Sequence, residues 1–113
     1  MILVIGAEAA GKHDFVRSLG YADADISEST EAPVVFHAEN LVKTINDVPS
    51  VLEKLKNKPV VVINEVGSGI IPAQREQALW REAAGRLGVL LAQEADCVVR
   101  VVCGIPTILK GKL

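Results

Sequence analysis

The sequence predicts one α/β domain over residues 1–113, with a mostly parallel sheet of about four strands flanked by helices. Short apolar runs rich in β-branched residues, typical of strands buried on both faces, occur at 2–5, 33–37, 59–64 and 97–105. Helical patterns alternate with these runs, as expected when crossovers join parallel strands. Because 50% of the residues are apolar, the chain can bury a core without disulfides.

The predicted helices lie at 12–21, at 38–47, from about Ser50, and from about Ala73 to Glu94, while the acidic stretch 22–32 predicts a solvated loop. Gly20 suits the position after the first helix, where the backbone is often left-handed. A capping-box pattern starts the third helix at Ser50, and Pro72 suits the first turn of the long one. Within that long helix, Gly85 and Gly88 indicate either close packing on the sheet or the approach of a ligand or subunit.

Charge and cysteine content exclude several classes of function. The net charge of −2 argues against a general nucleic-acid-binding protein, which would carry a basic face. Cys97 and Cys103 lack a metal-binding or redox spacing and read as small buried residues in a reducing compartment. No run approaches about 18 apolar residues, the length that spans a membrane. We therefore expect a cytoplasmic protein with no nucleic-acid partner and no membrane span, and we expect a homo-oligomer.

A glycine-containing loop connects the first strand to the first helix. Its residues are Gly6, Ala7, Glu8, Ala9, Ala10, Gly11, Lys12 and His13. Gly6, Gly11 and Lys12 have the G-x-x-x-x-G-K spacing of a phosphate-binding P-loop, in which backbone amides converge on a phosphate and the lysine neutralises it. The strand–loop–helix context therefore predicts a P-loop NTPase-like fold that binds ATP or GTP at these eight residues, with Lys12 catalytic.

His13 departs from that motif, which ends in Ser or Thr. The usual hydroxyl ligates Mg²⁺, whereas neutral imidazole is a poor ligand for this hard cation. We therefore expect Mg²⁺ to be weakened as a cofactor, and the sequence leaves the metal-binding residues unknown. Glu8 adds a negative charge that disfavours polyphosphate unless its side chain points away. An alternative is that His13 is a solvent-facing helix residue in a loop that no longer supports turnover.

The second half of the chain carries a family resemblance. The segments "INEVGSGIIP" at 63–72 and "REAAGRLGVLLAQEADCVVRVVCGIPTILK" at 81–110 resemble the adenosylcobinamide kinase/adenosylcobinamide-phosphate guanylyltransferase family of cobalamin biosynthesis. Members carry N-E-V-G-x-G-[IV]-[IV]-P, a helix with R-x-x-x-G-R, then A-D-x-V and a G-I-x-x-x-x-K end. The N-terminal loop fits the family's G-G-x-R-S-G-K-S at Gly6, Gly11 and Lys12.

The resemblance implies a nucleotide-dependent transferase, a kinase and nucleotidyltransferase, whose second partner is adenosylcobinamide. It also implies a substrate loop, for which the candidate residues are Asn64, Glu65, Gly67, Gly69 and Arg86. From the residues themselves, Asn64 and Glu65 follow a buried strand, where they can orient a substrate hydroxyl or bind a metal through water. Glu65 is thus a second candidate catalytic residue. The alternative is a tight structural loop before the long helix.

A further departure from the family pattern bears on guanylyl transfer. The family's histidine that carries the guanylyl group lies in a segment that is largely deleted here, and only His37 is a nucleophile by residue type. The guanylyltransferase reaction is therefore in doubt. Three functions remain open: an adenosylcobinamide kinase-like enzyme, a catalytically reduced member that binds a nucleotide or corrinoid as a regulatory or structural subunit, and a scaffold that has lost nucleotide binding.

Overall fold

The computed structural model describes residues 1–66 and 74–113. A single sheet of strand order β2-β3-β4-β1-β5-β6 crosses the described part of the chain. Its strands are β1 (Ile2–Gly6), β2 (Ile26–Ser27), β3 (Val34–Val35), β4 (Val60–Asn64), β5 (Cys97–Val102) and β6 (Ile105–Lys110). All neighbouring pairs are parallel except β5 and β6. The predicted α/β fold with a mostly parallel sheet is therefore confirmed.

Helices cover both faces of the sheet. They are α1 (Lys12–Ser18), α2 (Val48–Leu55) and α3 (Arg75–Glu94). On one face, α2 and α3 bury an aliphatic cluster that includes Leu3, Leu55 and Leu87. On the other face, Val16 of α1 packs over Val4 and its neighbours. The central strands are thus buried on both sides, which explains why their sequences are apolar at consecutive positions.

The prediction of about four strands was too low, because the described residues contain six. The stretch 97–105, predicted as one strand, is a hairpin whose two-residue turn is Cys103–Gly104. Both turn residues have positive φ (51° and 76°), as a tight hairpin turn requires. Cys103 is consequently exposed rather than buried. The predicted solvated loop 22–32 contains β2, which is only two residues long.

One predicted helix was also wrong. The segment 38–47 forms two short 3-10 turns, Ala38–Leu41 and Ile45–Asp47, instead of one helix. His37, directly before the first of these turns, has a left-handed backbone (φ 55°). The third helix begins at Val48 rather than Ser50, because Pro49 occupies its first turn.

The long helix α3 is described from Arg75, so its predicted start at Pro72 and Ala73 lies outside the described residues. One face of α3 packs on the core, since Ala83, Leu87 and Leu91 are buried. Close packing does not explain its glycines: among the described residues, a Cβ on Gly85 would meet nothing within 4 Å, and one on Gly88 would meet Ile63 at an ordinary 3.9 Å. In the same part of the chain, no helix is long and apolar enough to cross a membrane.

Candidate functional site

The loop at residues 6–13 lies at the carboxyl edge of the sheet. In the sheet register, Gly6 at the end of β1 lies beside Asn64 of β4, and Ile5 lies beside Arg100 of β5. A Cβ on Gly6 would lie 2.6 Å from the carbonyl oxygen of Val101, so only glycine fits there. This edge of a parallel sheet is where α/β proteins place their ligands.

The body of the loop is a tight turn that precedes α1. Ala10 N donates to Ala7 O at 3.3 Å, and Ala9 and Gly11 both have positive φ (58° and 95°). The hairpin turn supports the loop from outside, because Gly104 N donates to Ala10 O at 2.8 Å. The structure therefore brings all eight predicted loop residues together between β1 and the start of α1.

Lys12 points into this loop. The residue is only 4% exposed, and its Nζ donates to the carbonyl oxygen of Ala7. Burial lowers the pKa of Lys12, while the negative charges of Glu8, Glu39 and Glu65 oppose that shift. A buried ammonium group bonded to a loop carbonyl is placed to exchange that carbonyl for a phosphate oxygen.

His13 and Glu8 each contact a residue outside the loop. The His13 ring is exposed, with Nε2 3.4 Å from Asp23 Oδ1 and an edge-on contact to Phe36 at 5.7 Å between ring centres. Glu8 accepts a hydrogen bond from Asn64 Nδ2, so its carboxylate is tied to the end of β4. Both residues also line the cleft beside the loop, where the negative charge of Glu8 acts on Lys12.

The end of β4 carries the first two residues of the predicted substrate loop. Asn64 Oδ1 is buried and, among the described residues, has no hydrogen-bond partner. Glu65 N donates to Gly6 O at 2.8 Å, which extends the pairing of β4 with β1. The other predicted loop residues, Gly67 and Gly69, lie outside the described residues. Arg86 is exposed on α3, and the described contacts do not join it to Asn64 or Glu65.

Arg100 is a site residue that the sequence analysis missed. Its Nε and Nη2 donate to the two carboxylate oxygens of Glu65 at 2.6 and 3.1 Å. This bidentate pairing raises the pKa of Arg100 above its ordinary value. A charged residue in the otherwise apolar run "CVVRVV" is the signal that identifies it.

Glu39 was also missed. It is 3% exposed, and its Oε1 accepts a hydrogen bond from Asn64 N at 2.9 Å. Trp80 Nε1 donates to the backbone oxygen of Glu39 at 2.8 Å, which ties it to α3. The predicted helix at 38–47 concealed this residue, since an acid on an amphipathic helix is expected to face solvent.

Two adjoining clefts open on the β3 side of the loop. The first, of about 350 Å³, is lined by Glu8, Ala9, Ala10, Gly11, Lys12, His13, Asp14, Phe36 and His37. The second, of about 260 Å³, is lined by His13, Asp23, Ile26, Ser27, Glu28, Phe36 and His37. Residues 1–66 and 74–113 contain no group of three or more His, Cys, Asp or Glu side chains arranged to hold a metal ion. Together the clefts have room for a phosphate group and part of a larger ligand.

Comparison with known proteins then decides the family. A sequence model described as cobinamide kinase / cobinamide phosphate guanyltransferase matches residues 25–109, about three quarters of the chain. The chain belongs to this family. The bifunctional adenosylcobalamin biosynthesis protein CobU of Salmonella typhimurium is 50% identical over 48 residues. That match covers 42% of this chain but only about a quarter (26%) of the length of the Salmonella protein.

The family match confirms the resemblance found in the sequence. It begins at residue 25, after the loop at 6–13. The candidate phosphate site therefore depends on the loop's own residues and geometry.

Proposed function

We propose that the protein binds ATP or GTP at residues 6–13 and transfers a phosphoryl group from it to adenosylcobinamide. The observation that carries this proposal is the buried ammonium group of Lys12, bonded to Ala7 O inside a strand–loop–helix turn. Membership of a cobinamide kinase family supports the choice of acceptor. On this proposal, the protein acts in cobalamin biosynthesis.

The proposed reaction assigns a role to each described group. Loop amides and Lys12 Nζ bind the phosphates, so that positioning and charge neutralisation supply most of the catalysis. The acceptor hydroxyl lies at the end of β4, beside Asn64 and Glu65. Its oxygen bonds to the terminal phosphorus, the bond between that phosphorus and the leaving nucleoside diphosphate breaks, and the hydroxyl proton passes to a carboxylate oxygen of Glu65.

The residues around the loop do not fit a directly bound Mg²⁺. His13 offers an imidazole where a hydroxyl oxygen is needed, and its ring already contacts Asp23. The carboxylates of Glu8 and Glu65 are engaged by Asn64 and Arg100. No step of the proposed reaction is therefore assigned to a metal.

Guanylyl transfer through a histidine is not part of the proposal. His37 Nδ1 lies 3.2 Å from Glu28 Oε1, and its Nε2 lies 4.0 Å from Glu8 Oε2. Two carboxylates beside the ring repel the phosphate of an incoming nucleotide.

A second candidate function is nucleotide binding without turnover, as a regulatory or structural subunit. The pairing of Glu65 with Arg100 favours it, because two charged hydrogen bonds already occupy the carboxylate oxygens that would have to receive the proton. The two candidates share the phosphate loop and differ only in whether product forms.

The decisive experiment compares wild type with Lys12→Ala. We expect Lys12→Ala to weaken ADP or GDP binding by at least about 1.5 kcal/mol, or about tenfold, because a charged hydrogen bond to phosphate is lost. Calorimetric titration measures the affinity, and the exposed Lys54→Ala on α2 is the matched control. Equal affinities of Lys12→Ala and wild type would refute the phosphate loop.

An assay of phosphate transfer to cobinamide then separates the two candidates. Product from wild type and none from Lys12→Ala identifies a kinase. Nucleotide binding without product, under the same conditions, identifies the subunit.

A further inference from the structure

Glu39 is a buried acid that the proposed reaction does not use. It lies in the 3-10 turn Ala38–Leu41 that follows β3, with 3% of its surface exposed. A buried carboxylate costs several kcal/mol of desolvation, which only good hydrogen bonds or opposite charges offset. The contacts of Glu39 should therefore show why the fold keeps an acid in this position.

Two hydrogen bonds tie Glu39 to separate parts of the molecule. Its Oε1 accepts from the backbone N–H of Asn64 at 2.9 Å, at the last residue of β4. Its own carbonyl oxygen accepts from the Trp80 indole at 2.8 Å, on α3. One residue thus connects the turn after β3, the end of β4 and the long helix, immediately behind the side chains that would meet an acceptor.

Glu39 also acts on Lys12, through its charge rather than through a hydrogen bond. The charged groups that act on Lys12 are Glu8 in the loop, Glu39 in the turn, and Glu65 after β4. Glu8 and Glu65 are both exposed, and Glu65 is paired with Arg100. Glu39 is the buried member of this set, so solvent screens its charge least.

We propose that Glu39 is a positioning residue of the nucleotide site, which fixes the end of β4 beside the phosphate loop. This inference rests on the proposed function, because it assumes that Lys12 binds phosphate. Glu39 itself touches no reacting atom and acts through Asn64 and Lys12.

The test uses two substitutions that separate the hydrogen bond from the charge. Glu39→Gln keeps an oxygen for the Asn64 N–H and removes the charge. Glu39→Asp keeps the charge but is one methylene shorter, so its oxygen falls short of Asn64 N. Glu94→Gln, at the exposed end of α3 near the opposite edge of the sheet, is the control for loss of an acid.

ADP affinity is measured by calorimetry from about pH 7 to about pH 10, and thermal unfolding checks that each variant is folded. We expect Glu39→Gln to bind ADP about threefold to tenfold more weakly than wild type, with the deficit growing as pH rises. The reason is that burial already lowers the pKa of Lys12 and Glu39 opposes that shift, so removing the acid lets Lys12 lose its proton at lower pH. Glu39→Asp should bind more weakly than wild type but keep its pH profile.

Each result decides the question. A folded Glu39→Asp with wild-type affinity would overturn the inference and leave the phosphate loop intact, and a folded Glu39→Gln with the wild-type pH profile would show that the charge of Glu39 has no effect on Lys12. If Glu39→Gln does not fold, Glu39→Asp decides: weaker binding with an unchanged profile supports the positioning role, and wild-type binding overturns it. If wild type binds no ADP at all, the proposed function itself has failed.

Discussion

The two flanks of the phosphate loop are built in different ways. The inner flank consists of Glu39, Asn64, Glu65 and Arg100. Three of its four residues lie on or directly after the central strands β4 and β5, which pair with β1 on both sides. Its contacts include backbone donors and a buried acid, so the geometry is fixed by the core of the fold.

The outer flank consists of His13, Asp23, Glu28, Phe36 and His37. These residues lie on α1, on short turns and around the two-residue strands β2 and β3. Its contacts between histidine rings and carboxylates lie at the surface at 3.2 to 4.0 Å, and surface pairs of this kind contribute little stability. On the proposed function, the inner flank would position groups for chemistry and the outer flank would be the side that adjusts to a ligand.

The largest effect is expected where the loop meets β5. Gly6→Ala places a Cβ 2.6 Å from the carbonyl oxygen of Val101, and neither backbone can move without disturbing the sheet. We expect a loss of about 1–3 kcal/mol in the free energy of unfolding, together with loss of nucleotide binding. Denaturant unfolding and ADP titration measure the two effects.

The matched control for Gly6→Ala is Gly85→Ala on α3. A Cβ there meets no described atom within 4 Å, so the substitution should stabilise the helix by up to about 1 kcal/mol. If Gly6→Ala were tolerated as well as Gly85→Ala, the inner flank would not be rigid at this contact.

A smaller effect separates the flanks directly. Trp80→Phe removes the indole donor to Glu39 O and leaves that carbonyl without its partner, which should cost about 1–2 kcal/mol of stability. His37→Gly on the outer flank should change stability by less than about 1 kcal/mol, because glycine readily adopts the positive φ of 55° that His37 holds. Thermal unfolding of both variants measures the two losses of stability. An equal loss in both would show that the two flanks do not differ in rigidity.

The sequence predicted the inner elements of the fold better than their contacts. The runs at 2–5 and 59–64 became β1 and β4 because consecutive β-branched residues suit strands buried on both faces. The loop and the start of α1 followed from glycine and lysine spacing, which is local. Glu39 and Arg100 could not be assigned, because their roles come from partners 25 and 35 residues away along the chain.

The outer flank was predicted less well for a different physical reason. Its strands are two residues long and its turns depend on single backbone angles, such as the positive φ of His37. Neither leaves a periodic pattern in the sequence. The segment 38–47 has apolar residues at helical spacing, but tertiary contacts such as that of Trp80 with Glu39 override this local preference.

The smallest expected effect concerns the metal dependence of the outer flank. His13 is held by Asp23 at 3.4 Å and by the edge of Phe36, so the position that usually supplies a hydroxyl to Mg²⁺ supplies none. Wild-type affinity for ATP or GTP should therefore change by less than about threefold between Mg²⁺ and EDTA, whereas His13→Ser should bind more tightly with Mg²⁺ than without it. Calorimetric titration of both proteins in both buffers provides the measurement, and Asp23→Asn controls for loss of the His13 contact alone. If wild type needs Mg²⁺ as strongly as His13→Ser does, a group other than the side chain at position 13 holds the metal.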